Sequence, residues 1–398
     1  MILNPMKWFR NSNIATSQPE YAGIFNSRAK TKSGAIITKE NAMRVSTVFS
    51  CIRVLSEGVG SLPIHLYKKD GKKKTKATEH PLYKVLHMQP NDEMNSMTFW
   101  EMATAHQALN GNFYAQIIRN RSGKIISLYP LIATNMQKYR LEDKSIIYVY
   151  SINNRTYEFK KEDIFEVIGL TLDGFTGLSP VSYQREALGL GKAAEEYGAT
   201  FFENNATPPL AIEVPHSLTD DEYKRLKDSW QEAYSGGNAH KTALLEGGAK
   251  ATKIGMSNTD SQFLETRKFQ RSEIAGMFRV PLHLIGDLEK SSFSNISEQS
   301  QELVKYTLHP YLVRFERAIN TQLLTSKESE TYYAKFNVDG LLRGDIKSRY
   351  EAYNVGRNMG VLSANEIRDK EDMNPIDNGD IYLTPLNMEE SGKKENND

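Results

Sequence analysis

The sequence predicts an α+β fold: a mixed body of helices and strands, two long helices separated by a small β-α-β insert, and a short helical end. Three observations carry this. Apolar residues alternate between helical and strand spacing over the first half of the chain. Pro208-Pro209 and Pro281 punctuate two long helical stretches, between which lies a self-contained strand and helix pattern. The 398-residue length exceeds what one core usually organises, so several regions are expected.

Residues 1 to 40 are polar and weakly periodic, and residues 386–398 are strongly hydrophilic, so a flexible amino-terminal arm and a disordered tail are expected. Val48, Cys51, Ile52, Leu55 and Val59 recur on one face of a helix, closed by Gly60 and Pro63. Ile64 to Tyr67 follow as a strand, and Lys68 to Lys74, centred on Asp70-Gly71, read as a hairpin tip. That lysine cluster is either a solvated turn or a contact for DNA or an acidic partner.

A helix is expected to start at Thr98, with Thr98 and Glu101 as a capping box, and to pack His106 rather than use it as a ligand. Strands are expected at Phe113 to Arg119, Ile125 to Leu128, Ile146 to Tyr150 and Tyr157 to Phe159. Ser179 caps a helix with Pro180 in its first turn, running to Asn204, about 40 Å at 1.5 Å per residue.

In the insert, strands are expected at Leu210 to Val214 and Thr242 to Leu245, with a further one near Ala251 to Met256. Between the first two lies a helix capped by Thr219 and Glu222 that buries Tyr223, Leu226, Trp230 and Ala233. A returning helix spans Asp260 to Phe278, with apolar residues on more than one face (Phe263, Leu264, Phe269, Ile274, Met277, Phe278), and residues 281 to 296 form a loop. A helix from Ser297 to Leu324 is kinked at Pro310. A strand at Tyr332 to Val338, a helix at Ile346 to Asn358 and a short helix capped by Ser363 complete the chain.

Composition limits the function. Hydrophobic content of 39% and a net charge of +1 mark a folded, soluble chain without the basic excess of proteins that grip DNA statically. Cys51, the single cysteine, lies in an apolar stretch, which excludes an intrachain disulfide framework and predicts a buried, inert thiol. Met1 to Arg10 lack the apolar run of a signal peptide, and nothing approaches the roughly 18 apolar residues of a membrane span. No membrane partner or export is expected, so the Asn-x-Ser/Thr triplets at Asn154, Asn205 and Asn295 are chance matches.

Catalytic motifs fail one by one. Gly189-Leu190-Gly191-Lys192 looks like the end of a phosphate loop, but the required earlier glycine is Glu186 and the residue after the lysine is Ala193. Gly247-Gly248-Ala249-Lys250 fails similarly. The eight histidines are scattered, and the acidic pairs Asp220-Asp221 and Glu195-Glu196 fit helix starts and faces. No cofactor, metal or enzymatic activity is expected.

Several stretches are similar to the HK97-type family of bacteriophage portal proteins. They are His80-Pro81-Leu82-Tyr83 with Gln89-Pro90-Asn91, Leu109-Asn110-Gly111-Asn112-Phe113-Tyr114, Gly177-Leu178-Ser179-Pro180, Val280-Pro281-Leu282-His283-Leu284-Ile285-Gly286-Asp287, Phe293-Ser294-Asn295-Ile296-Ser297-Glu298-Gln299-Ser300 and Leu308-His309-Pro310. Together these span about residues 45 to 385.

The resemblance implies a portal-type fold with an α+β wing (41–178, completed by 298–338, which includes the kinked helix), a long-helix stem (179–206 and 259–280), a small β-α-β clip (207–258), a tunnel loop (281–297) and a short helical crown (339–385). It implies a homo-oligomeric ring of about twelve subunits at one capsid vertex of the virion, assembled in the host cytoplasm. Through its channel double-stranded DNA passes during packaging and ejection. The implied partners are the terminase large subunit, head-completion or adaptor proteins, and the major capsid or scaffolding protein. Leu288, Glu289, Lys290, Ser291 and Ser292 are the implied DNA-facing residues of the tunnel loop. The alternatives are a head-tail adaptor or other capsid assembly protein, and a DNA-processing enzyme such as a nuclease, which would need a carboxylate cluster for Mg²⁺.

Overall fold

The computed structural model describes residues 30–71, 73–203, 210–215, 217–234, 249–253, 258–288, 301–338, 346–371 and 373–383. The chain divides into two compact units, one drawn from Met1–Glu57, Met102–Gln116 and Pro130–Phe293, the other from Gly58–Glu101, Ile117–Tyr129 and Ser294–Asp398.

In chain order the first half contains α1 (Ser46–Gly60), β1 (Ile64–Asp70), β2 (Lys73–Lys76), α2 (Pro81–His87), α3 (Ser96–Asn110), β3 (Asn112–Arg119), β4 (Ile125–Leu131), β5 (Met136–Arg140), β6 (Ile146–Ile152), β7 (Arg155–Lys160) and β8 (Ile164–Ile168). Then come α4 (Pro180–Tyr183), α5 (Arg185–Glu203), β9 (Leu210–Glu213), α6 (Asp220–Tyr234), β10 (Lys250–Lys253) and α7 (Asn258–Phe278). The chain ends with α8 (His309–Gln322), α9 (Ser326–Thr331), β11 (Tyr332–Phe336), α10 (Ile346–Asn358) and α11 (Ala364–Lys370).

The first unit is built on two antiparallel arrangements. β3 pairs with β8, Phe113 opposite Val167 and Ala115 opposite Phe165. β5, β6 and β7 form a meander, with Lys138 opposite Tyr148 and Tyr148 opposite Phe159. Tyr114, Leu131, Ala133, Met136, Tyr148, Tyr150, Phe159 and Ile164 share one apolar cluster. Burial of Cys51 on α1 pushes its thiol up to about 12, consistent with an inert side chain. His106 is packed, its ring 6.1 Å from that of Phe113, and burial lowers its pKa.

The second unit centres on the sheet β11-β1-β2 and on Trp100, which contacts Phe99, Phe315 and Phe336 edge-on. The outer edge of β11 is satisfied by α8: Ala334 N–H donates to Asn320 Oδ1 at 2.8 Å and Phe336 N–H to Glu316 Oε1 at 2.9 Å. Burial raises the Glu316 carboxyl above its ordinary range. The opposite edge, β2, carries exposed lysines, a standard protection against edge-to-edge pairing.

The structure differs from the sequence expectations at identifiable places. α3 starts at Ser96, because the Asn95 side chain accepts from Thr98 N–H at 2.9 Å; asparagine three residues earlier replaces the expected Thr98 cap. The hairpin tip is shorter than expected, since β1 runs on to Asp70 before Gly71, with φ of +57°, turns the chain. Helices α2 and α9 and strands β5 and β8 are additional to the expected elements. Tyr223 of α6 is exposed rather than buried. The expected strand at Thr242 to Leu245 lies outside the described residues, and β9 instead pairs with β10, Leu210 opposite Lys253.

Pro310 acts differently from a simple kink. Leu303–Leu308 winds as a π-helix, with His309 N–H reaching back to Val304 O, and Pro310 then sits in the first turn of α8. The wider turn accommodates a ring that would otherwise collide with the carbonyl four residues back.

Candidate functional site

Two of the sequence words prove to be one piece of structure. Gly111, with φ of +81°, follows α3, and Gly177 lies so close that a Cβ there would sit 2.0 Å from Gly111 O. Gly169 N–H donates to Gly111 O at 2.8 Å, and Gly177 N–H donates to Asn112 Oδ1 at 3.0 Å. Ser179 donates its hydroxyl to Leu109 O at 2.7 Å while accepting from Ser182 N–H, so the same side chain closes the junction and caps α4. Asn-Gly-Asn and Gly-Leu-Ser-Pro are therefore packing words that set where the helices begin.

A buried ion pair holds the segment leading into that junction. Lys138 Nζ on β5 lies 2.6 Å from Glu166 Oε2 on β8, both side chains only 7% exposed. The ammonium also donates to Phe175 O at 3.0 Å and lies 4.4 Å from the centre of the Phe175 ring. Tyr148 donates to Glu166 Oε2 at 2.8 Å. Burial first, and the Glu166 charge second, push the Tyr148 and Tyr114 hydroxyls well above the ordinary phenol range. Asp173 Oδ1 accepts from Phe175 and Thr176 N–H at 2.8 Å, completing a tight loop before Gly177. No motif marks Lys138 or Glu166, because they meet only through the sheet.

Past the junction, α5 and α7 lie against each other. The glycines that mimic a phosphate loop are interior helical positions: a Cβ at Gly189 would collide with Thr31, and one at Gly191 would press on Ile274. Of Gly247-Gly248-Ala249-Lys250, the two glycines lie outside the described residues and Lys250 opens β10. On α7, Ile274 and Phe278 are buried while Phe269 is 65% exposed, and Leu190 and Tyr197 of α5 are also exposed. The side chains of Phe263 and Leu264 lie outside the described residues.

α7 ends at Phe278, Arg279 follows with φ of +57°, and a 3₁₀ turn at Leu282–Ile285 comes next, closed by Gly286 with φ of +83°. Asp287 N–H donates to Leu282 O at 3.1 Å, and the Asp287 carboxylate lies 3.7 Å from Arg271 of α7. The chain is thus tied down to Asp287, and Leu288, next along, is 61% exposed. Of the candidate loop residues, Leu288 is described; Glu289, Lys290, Ser291 and Ser292 lie outside the described residues. Beside this segment Ser46, Glu195, Arg267, Gln270, Arg271 and Asp287 line a hollow of about 350 Å³. Within it Arg267 pairs with Glu195 at 3.8 Å and Arg271 with Asp287 at 3.7 Å.

Among the described residues no three His, Cys, Asp or Glu side chains are placed to hold a metal, and no helix is long and apolar enough to cross a membrane.

The family model described as phage portal protein matches residues 46–372. The chain is 33% identical over 392 residues to the probable portal protein of Streptomyces phage phiC31, covering 95% of this chain and 85% of that one. It is 32% identical over 382 residues to the portal protein of Enterobacteria phage HK97, covering 94% of this chain and 90% of that one. In fold it is similar to a chain from the neck of an empty gene transfer agent (GTA) particle computed with C6 symmetry, at TM-score 0.65 and 24% identity, covering 85% of this chain and 94% of that one. It is likewise similar to a chain from the neck of a native GTA particle computed with C12 symmetry, at TM-score 0.63 and 23% identity, covering 85% and 94%. Because the match runs unbroken through the glycine junction, the α5 and α7 pair and the turn after Pro281, the chain belongs to the phage portal protein family.

Proposed function

We propose that this chain is the non-enzymatic subunit of a ring at one vertex of a phage capsid, through which double-stranded DNA enters during packaging and leaves at ejection. The observation that carries the proposal is the α5 and α7 pair, which retains exposed apolar residues (Leu190, Tyr197, Phe269) after satisfying its own core. A heterologous interface that closes on itself buries such a second face, and the C12 symmetry of a neck with the same fold supports a twelve-fold ring.

In this reading α5 and α7 are the stem. The β9-α6-β10 insert is the clip that meets the terminase large subunit and later the head-completion proteins. Residues 288–292 face the DNA. A conduit benefits from weak contacts, since every tight phosphate contact must be broken again during translocation. The net charge of +1 agrees with that requirement.

The loop assignment is tested by replacing residues 288–292 with glycine and serine. Ring assembly is expected to survive, while DNA packaged per particle falls severalfold. Packaging at the unaltered level in intact rings removes the loop from the DNA path.

A further inference from the structure

The pairing register of the sheet β11-β1-β2 sorts its side chains onto two faces. Tyr67 lies opposite both Tyr333 and Lys76, Lys69 opposite Lys74, and His65 opposite Lys335. Because facing residues share a side and side chains alternate along a strand, one face carries His65, Tyr67, Lys69, Lys74, Lys76, Tyr333 and Lys335; His65 is buried against Tyr83 and His87 of α2, and the other residues continue from it to the hairpin tip. Asp70, the acidic residue of these strands, lies on the other face with Lys68 and Lys73.

The lysines on this face are exposed, and Tyr67 and Tyr333 between them are half-buried and stacked, with centroids 5.4 Å apart and planes 21° apart. Lys69 Nζ lies 5.1 Å from the centre of the Tyr333 ring. Two like charges placed directly opposite, as Lys69 and Lys74 are, cost stability in a sheet. Protection of the β2 edge would be served as well by Lys73, which lies on the other face.

We infer that this lysine and tyrosine face is a second DNA contact of the protein, binding the phosphate backbone of duplex DNA. The face offers point charges on flexible stems and no arginine fork, which suits a uniform polyanion better than the carboxylates of one folded partner. Its tyrosines are stacked on each other, so they are not open platforms for unpaired bases, and the contact is with a duplex rather than a single strand. Toward one end Lys76 and Lys335 share a hollow with Glu366, Asp369 and Lys370, so the uncompensated charge concentrates at Lys69 and Lys74.

The test uses the full chain and a covalently closed circular duplex of random sequence, which cannot thread a channel, so its result is independent of whether the ring conducts DNA. Affinity is followed against salt for the wild type, for Lys69→Gln with Lys74→Gln, and for Lys68→Gln with Lys73→Gln, each checked for unchanged oligomeric state. Each double variant removes two charges from one hairpin, but from opposite faces. The first pair is expected to weaken binding and to lower the slope of log affinity against log salt by about 2, while the second leaves the slope in place. Equal effects of the two pairs, or none, overturn the inference. So does displacement of the circle by poly-glutamate as effective as that by competing duplex, which assigns the face to an acidic protein.

Discussion

Replacing Trp100 by alanine is expected to destabilise the second unit by about 3–5 kcal/mol, the range for emptying a fully buried tryptophan site. The side chain has no measurable exposure, and its ring centre lies 5.0 Å from Phe99, 5.3 Å from Phe315 and 5.4 Å from Phe336. These partners come from α3, α8 and β11, so no single shift of a neighbour can refill the cavity. The hydrogen bond from Trp100 Nε1 to Leu86 O, 3.3 Å, adds little, because Ser96 Oγ also donates to that carbonyl at 2.8 Å. Trp100→Phe should therefore recover a substantial part of the loss. Urea unfolding followed by circular dichroism reads both variants. A loss for Trp100→Ala below about 1 kcal/mol, far under the cavity range, would mean that the aromatic cluster is not the core of this unit.

The second large effect concerns Lys138 and Glu166. Replacing Lys138 by methionine removes the ammonium that lies 2.6 Å from a carboxylate only 7% exposed, and breaking a buried pair in this way costs about 3–5 kcal/mol. The double variant Lys138→Met with Glu166→Leu should return most of that loss, since an apolar pair of similar volume needs no desolvation of charge. The recovery should not extend to the segment before Gly177, which loses the bond from Lys138 to Phe175 O and the contact with the Phe175 ring. Hydrogen exchange of the Phe175 and Thr176 amides, both held by Asp173, reports this directly. Faster exchange with restored global stability is the expected signature. A double variant as unstable as the single one would show that the pair is not the origin of the cost.

What the sequence made legible follows from how local each signal is. α1, α5, α7 and α10 each carry their own period, and the start of α4 is written in Ser179-Pro180. The failures are equally local. At α3 two capping residues stand three positions apart, and the side chain of Asn95 prevails over Thr98. β5, Met136–Arg140, alternates too weakly to be read as a strand and is held by its pairing with β6. β8, Ile164–Ile168, is a short apolar run that becomes a strand against β3.

The long-range chemistry was illegible for a different reason. Lys138 and Glu166 are unremarkable in sequence and meet only because β5 and β8 bring them together. The two faces of the β1 and β2 hairpin appear only once the register is known, so the cluster from Lys68 to Lys74 could not be divided beforehand into face and edge. The glycines of Gly189-Leu190-Gly191-Lys192 resolve in the opposite direction, from a chemical motif to close helix packing.

Electron microscopy of the purified 398-residue chain decides the proposed closure of this chain into a ring around a channel. Annular particles with a central opening and twelve-fold averages are the expected result. Monomers or dimers under every condition of salt and concentration, with no annular particle, would contradict it.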